Sequence, residues 1–140
     1  MSFPSLKKMV KTLKGYVSSR KISGQIVPQS IQNIILRNYC NENKYNFALS
    51  STEYSPEESF LMLEKTIKEL DPYHGIISYS IFQLPYNLNY RNIILNKIIN
   101  KKKIFYFVIE KICIKDKNDI INLNQILKIN QLLPYSLDQI

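Results

Sequence analysis

The apolar residues of this chain alternate between two spacings along its length. Short, dense apolar runs are followed by longer stretches whose apolar residues recur at helical spacing. Such alternation marks βα units that feed a parallel sheet, since each parallel strand must return to the same edge through a crossover helix. Four runs read as strands: Lys14 to Ser19, Tyr45 to Ser50, Ile76 to Phe82 and Ile104 to Ile109. After the first strand, the loop Arg20 to Ile26 carries the turn signal Ser23-Gly24. Val27-Pro28 then opens a helix, with Ile31, Ile34, Ile35 and Tyr39 as its expected buried stripe and an end near 41–43. Ser55-Pro56-Glu57-Glu58 reads as a capping box with proline at N1, ahead of a face made by Phe60, Leu63, Ile67 and Leu70. A third helix is expected over about Leu88 to Asn100, and Asp116 is placed to cap a fourth that runs through about Gln131.

These elements predict one α/β domain over 1–140, with a basic arm at 1–13 and a tail at 132–140 that carries Pro134. The sheet is expected to be parallel, four-stranded or with one more strand five-stranded, in the order 2-1-3-4 of a flavodoxin-like or resolvase-like three-layer sandwich. A chain of 140 residues buries roughly 70% of its unfolded surface, enough for one core.

The formal charge of +8 suggests a nucleic-acid partner until it is mapped. Six of the nineteen positive side chains precede Ile22, where there is no acid, and Lys101, Lys102 and Lys103 form another cluster. The chain is also rich in Ile, Asn, Lys and Tyr, which AT-rich codons favour, so the basicity has a source other than a polyanion surface. No apolar run approaches the roughly 20 residues that cross a bilayer, and the basic start lacks the apolar stretch of a signal peptide. The expected location is the cytoplasm. Cys40 and Cys113 have no CxxC spacing and no histidine nearby, so reduced, packed thiols are expected, with neither a metal nor a cofactor.

In open parallel sheets ligands sit outside the carboxyl ends of the strands, and there the chain places its polar residues. Strand one ends in Ser18, Ser19 and Arg20, and strand two is followed by Ser51, Thr52, Glu53 and Tyr54. Strand three carries Tyr79 and Ser80 and leads to Gln83, while strand four ends in Glu110. Gln29, Gln32 and Asn33 lie near the start of the first helix, where an anion can be received. Ser18, Arg20, Ser51 and Glu53 are the candidate catalytic set. Arg20 would hold an anionic group with its planar fork, Glu53 would serve as acid or base, and the serines would orient substrate. Ser19, Gln29, Gln32, Asn33, Thr52, Tyr54, Tyr79, Ser80, Gln83 and Glu110 are the candidate substrate contacts, with Tyr54 and Tyr79 placed to stack on a sugar. Plainer roles stand beside these: Ser18 and Ser51 satisfying loop backbone, and Glu53 or Glu110 pairing with Arg20. Tyr16, Tyr45 and Tyr106 read as core or helix contacts. His74 falls in a turn at the opposite, amino edge, and no glycine-rich phosphate loop is present.

The segments Gly15-Tyr16-Val17-Ser18-Ser19-Arg20, Val27-Pro28-Gln29-Ser30-Ile31-Gln32-Asn33, Ser51-Thr52-Glu53-Tyr54 and Phe82-Gln83-Leu84-Pro85 occur in this order. In them the chain resembles the sporadic carbohydrate cluster family, small bacterial proteins encoded among genes for surface polysaccharides such as O-antigen or capsule. The resemblance runs from Lys14 to about Gln131. It implies a cytosolic protein of surface-polysaccharide biosynthesis that binds a sugar, a sugar nucleotide or a related phosphorylated precursor, and it implies no defined reaction.

A more distant similarity is to the catalytic domain of serine recombinases, which also begins with a Tyr-containing strand ending in serine, followed by a helix carrying Gln. Those enzymes surround a nucleophilic serine with several arginines and carry an Asp-Arg pair after strand three. Here that stretch reads Ser80-Ile81-Phe82-Gln83-Leu84-Pro85, and Arg20, Arg37 and Arg91 are all the arginines in the chain, so this likeness implies the fold and not DNA strand exchange. The alternative expectation is a non-catalytic accessory protein whose last helix and Leu132-Leu133 dock on a glycan enzyme or on a second copy.

Overall fold

The structure, a computed structural model, describes residues 10–54 and 59–138, with only the backbone course given for 133–138. Its elements are β1 (Thr12–Ser18), α1 (Gln29–Glu42), β2 (Asn46–Glu53), α2 (Leu61–Lys68), β3 (Gly75–Ser78), α3 (Leu88–Asn100), β4 (Ile104–Phe107), β5 (Ile112–Ile114) and α4 (Lys117–Asp138). A short 3₁₀ turn, Ile81–Gln83, follows β3. The sheet order is β2-β1-β3-β4-β5. The first four strands are parallel, as the alternating pattern requires, and β5 joins β4 antiparallel through a tight turn. Expectation and structure agree on the α/β sandwich and on the order of its first four strands; the fifth strand is antiparallel because a four-residue link leaves no length for a crossover.

Two apolar layers flank the sheet. On one face Leu13, Val17 and Ile77 pack against Leu36 and Cys40 of α1. On the other, Tyr16, Ile76, Phe105 and Phe107 meet Leu63 and Ile67 of α2, Ile94 and Ile98 of α3 and Leu123 of α4. The predicted face Phe60, Leu63, Ile67, Leu70 is wholly buried.

The predicted stripe on α1 is corrected. Ile31 and Ile34 are 44% and 52% exposed, and the buried line is Gln32, Leu36 and Cys40. A buried glutamine in that line is the reason, since counting apolar residues alone rotates the expected face toward the isoleucines. Strand three is also shorter than predicted: Ser80 turns the chain into the 3₁₀ segment by accepting from the amide of Phe82 at 3.2 Å. Residues 132–138 continue α4 rather than forming a separate tail. Asp116 caps that helix, accepting from the Asp119 amide at 3.0 Å, while Asp119 accepts from the Lys115 amide at 3.0 Å. The capping box at 55–58 and the basic positions up to residue 9 lie outside the described residues.

Two glycines are dictated by geometry. Ser23 and Gly24 both have positive φ, 52° and 81°, in a turn that pairs Ile22 with Gln25, a backbone shape glycine favours. Gly15 lies where β1 and β2 change register between Lys14 and Tyr16. A Cβ there would stand 2.1 Å from Ser50 Oγ.

Candidate functional site

The parallel register puts Ser18 directly beside Glu53, so the carboxyl ends of β1 and β2 do bring the predicted residues together. Two polar groups form there. The first is built on Glu53, which is 3% exposed. Its carboxylate accepts from the Tyr16 hydroxyl at 2.9 Å, from the Met62 amide at 3.0 Å and from the Leu63 amide at 3.3 Å. Met62 and Leu63 are in the first turn of α2, whose own cap residue, Phe60, offers no side-chain acceptor. Glu53 therefore supplies from the neighbouring strand the acceptor that orphan helix amides require, and its charge opposes the positive end of the helix dipole.

Arg20 stands over this group. Its guanidinium carbon lies 4.3 Å from the centre of the Phe60 ring, within cation–π range. Nη1 donates to the Ser59 carbonyl at 2.7 Å and Nη2 to the Tyr16 hydroxyl at 3.3 Å. Guanidinium, phenol and carboxylate thus form a chain in which Tyr16 links Arg20 to Glu53. Burial pushes the Tyr16 pKa up, against the lowering effect of Arg20. The direct pairing of Arg20 with Glu53 or Glu110 is replaced by this relay and by a separate role for Glu110. Ser19 completes the rim, its hydroxyl donating to the Tyr54 carbonyl at 2.8 Å while its amide donates to the Glu53 carbonyl at 2.9 Å.

The second group closes the rest of the edge. Gln83 Nε2 donates to Gln32 Oε1 at 2.9 Å and to Ser18 Oγ at 3.2 Å, and Gln32 Nε2 donates to the carbonyls of Ser18 and Val27 at 2.9 and 2.8 Å. The Gln83 oxygen accepts from the Ser80 amide at 3.0 Å, and the Ser80 hydroxyl donates to Glu110 at 2.6 Å. Glu110 also accepts from the Ile81 amide at 2.9 Å. Ser18 and Gln32 are fully buried, and Ser80 and Gln83 nearly so. Side-chain amides carry a donor and an acceptor each, so two of them can tie a serine, a loop and a 3₁₀ turn with no polar atom left over. Among the described residues no buried side-chain nitrogen or oxygen lacks a partner.

The remaining candidates are dispersed. Ser51 accepts from Thr66 Oγ1 at 2.8 Å and lines a groove of about 360 Å³ beside Lys14 and Lys65, under α2. Asn33 accepts from Ser50 Oγ at 2.5 Å. Gln29 and Thr52 are half-buried on α1 and β2. The Tyr79 carbonyl accepts from the Ile109 amide at 2.9 Å, and Tyr54 is 73% exposed beside Ser19. His74 is at the amino edge, where its amide donates to the Thr12 carbonyl at 2.8 Å and its ring stacks on Tyr45. Tyr16, read from sequence as a core residue, is at once that and the centre of the Arg20–Glu53 relay. Its position two residues before Ser18, on the same face of β1, was the available signal.

No family model matches the chain, and no curated protein matches it. A solved structure does: the crystal structure of the N-terminal catalytic domain of TP901-1 integrase is similar to it with a TM-score of 0.63. The two are 15% identical, over 89% of this chain and 98% of the integrase chain. The two share a fold, which agrees with the fold-level similarity to serine recombinase catalytic domains.

Proposed function

We propose that the rim formed by Ser19, Arg20 and Tyr54 binds the anionic group of a phosphorylated carbohydrate, a sugar phosphate or nucleotide sugar, in bacterial surface-polysaccharide biosynthesis. The observation that carries this reading is the setting of Arg20. A guanidinium has five N–H donors, and here two are used on Ser59 and Tyr16 while the plane is held on the Phe60 ring. An oriented cation whose remaining donors meet no acceptor among the described residues, at the carboxyl edge of a parallel sheet, suits a phosphate. The polysaccharide setting rests on the resemblance to the sporadic carbohydrate cluster family alone.

Binding is favoured over catalysis, because both oxygens of Glu53 are already engaged by α2. Isothermal titration of the full chain with nucleotide sugars and sugar phosphates is expected to give saturable binding that Arg20→Ala abolishes. A flat response from the unmodified protein across the panel refutes the reading.

A second reading, a DNA-binding domain of recombinase type, rests on the shared fold with the TP901-1 integrase domain. The placement of arginines opposes it. Arg37 lies over Phe47 on the α1 face and Arg91 is buried against α4, so of the three arginines Arg20 is the one joined to the Tyr16–Glu53 group. Two of the clustered lysines are also tied to backbone carbonyls, Lys101 Nζ donating to that of Ile67 at 2.7 Å and Lys103 Nζ to that of Asp71 at 3.0 Å. Retention on heparin that falls steeply with salt would favour the DNA reading.

A further inference from the structure

Arg91 is the most deeply buried cation in the described part of the molecule, 4% exposed in the first turns of α3. Its partners are all neutral. Nε donates to Asn124 Oδ1 at 2.9 Å, and Nη1 donates to the Pro85 and Tyr86 carbonyls at 3.0 and 3.1 Å. Among the described residues the ion pair that forms is Lys101 with Asp71, at the other end of the molecule. Burial of a charge without a counter-charge is costly, and burial draws the Arg91 pKa down from its ordinary value, the direction expected of a desolvated cation.

This guanidinium borders a cavity of about 470 Å³ between α3 and α4, whose lining includes Leu88, Asn92, Ile121, Asn124 and Lys128. A smaller hollow of about 90 Å³, lined by Leu84 and Leu127, adjoins it and shares Arg91 and Gln131. The larger volume falls in the ordinary range for small-molecule sites. Among the described residues its lining has two cations and no carboxylate, several amides, and apolar side chains in Leu88 and Ile121 that are half-exposed. The amide of Asn124 is itself held, donating to Asn92 Oδ1 at 2.7 Å, so Arg91 is fixed in direction by a helix-to-helix bond.

We infer that this cavity is a binding site for a small amphipathic anion, a carboxylate or phosphate carrying a short apolar body. Its anionic end meets Arg91 and Lys128, and its apolar part lies against Leu88 and Ile121. The anion would supply the counter-charge that the fold withholds from Arg91. The site lies between α3 and α4, lined by residues other than those at the carboxyl rim, and does not depend on the proposal for Arg20.

The test is a titration of the isotope-labelled full chain, followed by amide NMR shifts, with n-hexyl phosphate, hexanoate, hexanol and inorganic phosphate as separate probes. One or both amphipathic anions are expected to give saturable shifts at Arg91, Asn92, Asn124 and Lys128, and their relative strength separates phosphate from carboxylate preference. Hexanol and inorganic phosphate are each expected to bind at least tenfold more weakly than the better anion. Lys128→Glu, on an exposed position, is expected to weaken that anion at least tenfold with no change in fold, while Arg20→Ala leaves it unaltered. Absence of saturable shifts with both anions, equal binding of hexanol, indifference to Lys128→Glu, or loss of binding in Arg20→Ala overturns the inference.

Discussion

Removing the Glu53 carboxylate distinguishes a strand residue that starts a helix from one held in reserve for chemistry. In Glu53→Ala three donors lose their acceptor: the Tyr16 hydroxyl and the amides of Met62 and Leu63. Loss of a helix cap costs about 1 kcal/mol. The buried Tyr16 O–H, left without an acceptor, adds roughly 1–3 kcal/mol. The expected loss is therefore about 3 kcal/mol. With a urea m-value of about 2 kcal/mol per molar this lowers the unfolding midpoint by roughly 1.5 M, and it lowers Tm by roughly 6–12 °C. Glu53→Gln keeps one acceptor oxygen and should lose only about 1 kcal/mol, a net hydrogen-bond contribution. Urea unfolding followed by circular dichroism gives the magnitudes. Hydrogen exchange locates them, with Met62 and Leu63 expected to lose protection before the amides of α3. A Glu53→Ala protein within about 0.5 kcal/mol of the unmodified one, the range of an ordinary surface change, with unaltered exchange at both amides, would refute the capping role.

Three further outcomes are expected. Gly15→Ala places a Cβ 2.1 Å from Ser50 Oγ and 2.9 Å from Phe47 Cε1, so it should destabilise by about 2 kcal/mol as overpacking does, and Ser50→Ala added to it should restore part of the loss in the same urea assay. Burial pushes the Cys40 thiol up to about 11, and its side chain is fully covered, so alkylation at pH 8 followed by mass spectrometry should label the half-buried Cys113 well before Cys40; equal rates refute this. Burial, then Lys11 and Lys103, hold His74 below its ordinary 6.5. The unfolded chain then takes up the proton first as pH falls, so this contribution to stability is complete above about pH 6.5 and is lost as pH drops through the folded value. An NMR titration of the imidazole with a midpoint at or above 6.5 overturns that sign.

Legibility from sequence followed the physical origin of each element. Helix α3 was readable from Leu88 to Asn100 because periodic apolar residues fill it; the structure adds its cap, Asn87, which accepts from the Tyr90 amide at 2.9 Å. The face of α2 was readable because its buried positions, Thr66 apart, are apolar. The face of α1 was not, since its edge-closing member is Gln32, and β5 was not, since three residues inside Ile112–Ile114 leave too short a period to separate from the preceding strand. At the site, the alignment of Ser18 with Glu53 followed from parallel strands alone. That Glu53 would reach the start of α2 depended on the path of the chain across nine residues, and side-chain pairing between Gln32 and Gln83 spans fifty-one positions. Neither has a local signature.

The same side chains that made the carboxyl edge look like a pocket also explain how little of it is open. Strand ends of a parallel sheet present backbone groups that need partners, and a ligand is one way to satisfy them. Here Gln32 takes the Ser18 carbonyl, Glu110 takes the Ile81 amide, and Glu53 takes the amides of α2. Substituting protein for ligand at each of these points closes the edge, and Arg20, Ser19 and Tyr54 are what projects beyond it. Ser18 is covered, and Arg37 and Arg91 are committed elsewhere. Among the described residues, a cation without a carboxylate in contact occurs both at the rim and between α3 and α4. Electrostatics therefore directs the search for ligands toward anions at either place, and the Arg20 and Lys128 variants tell the two apart.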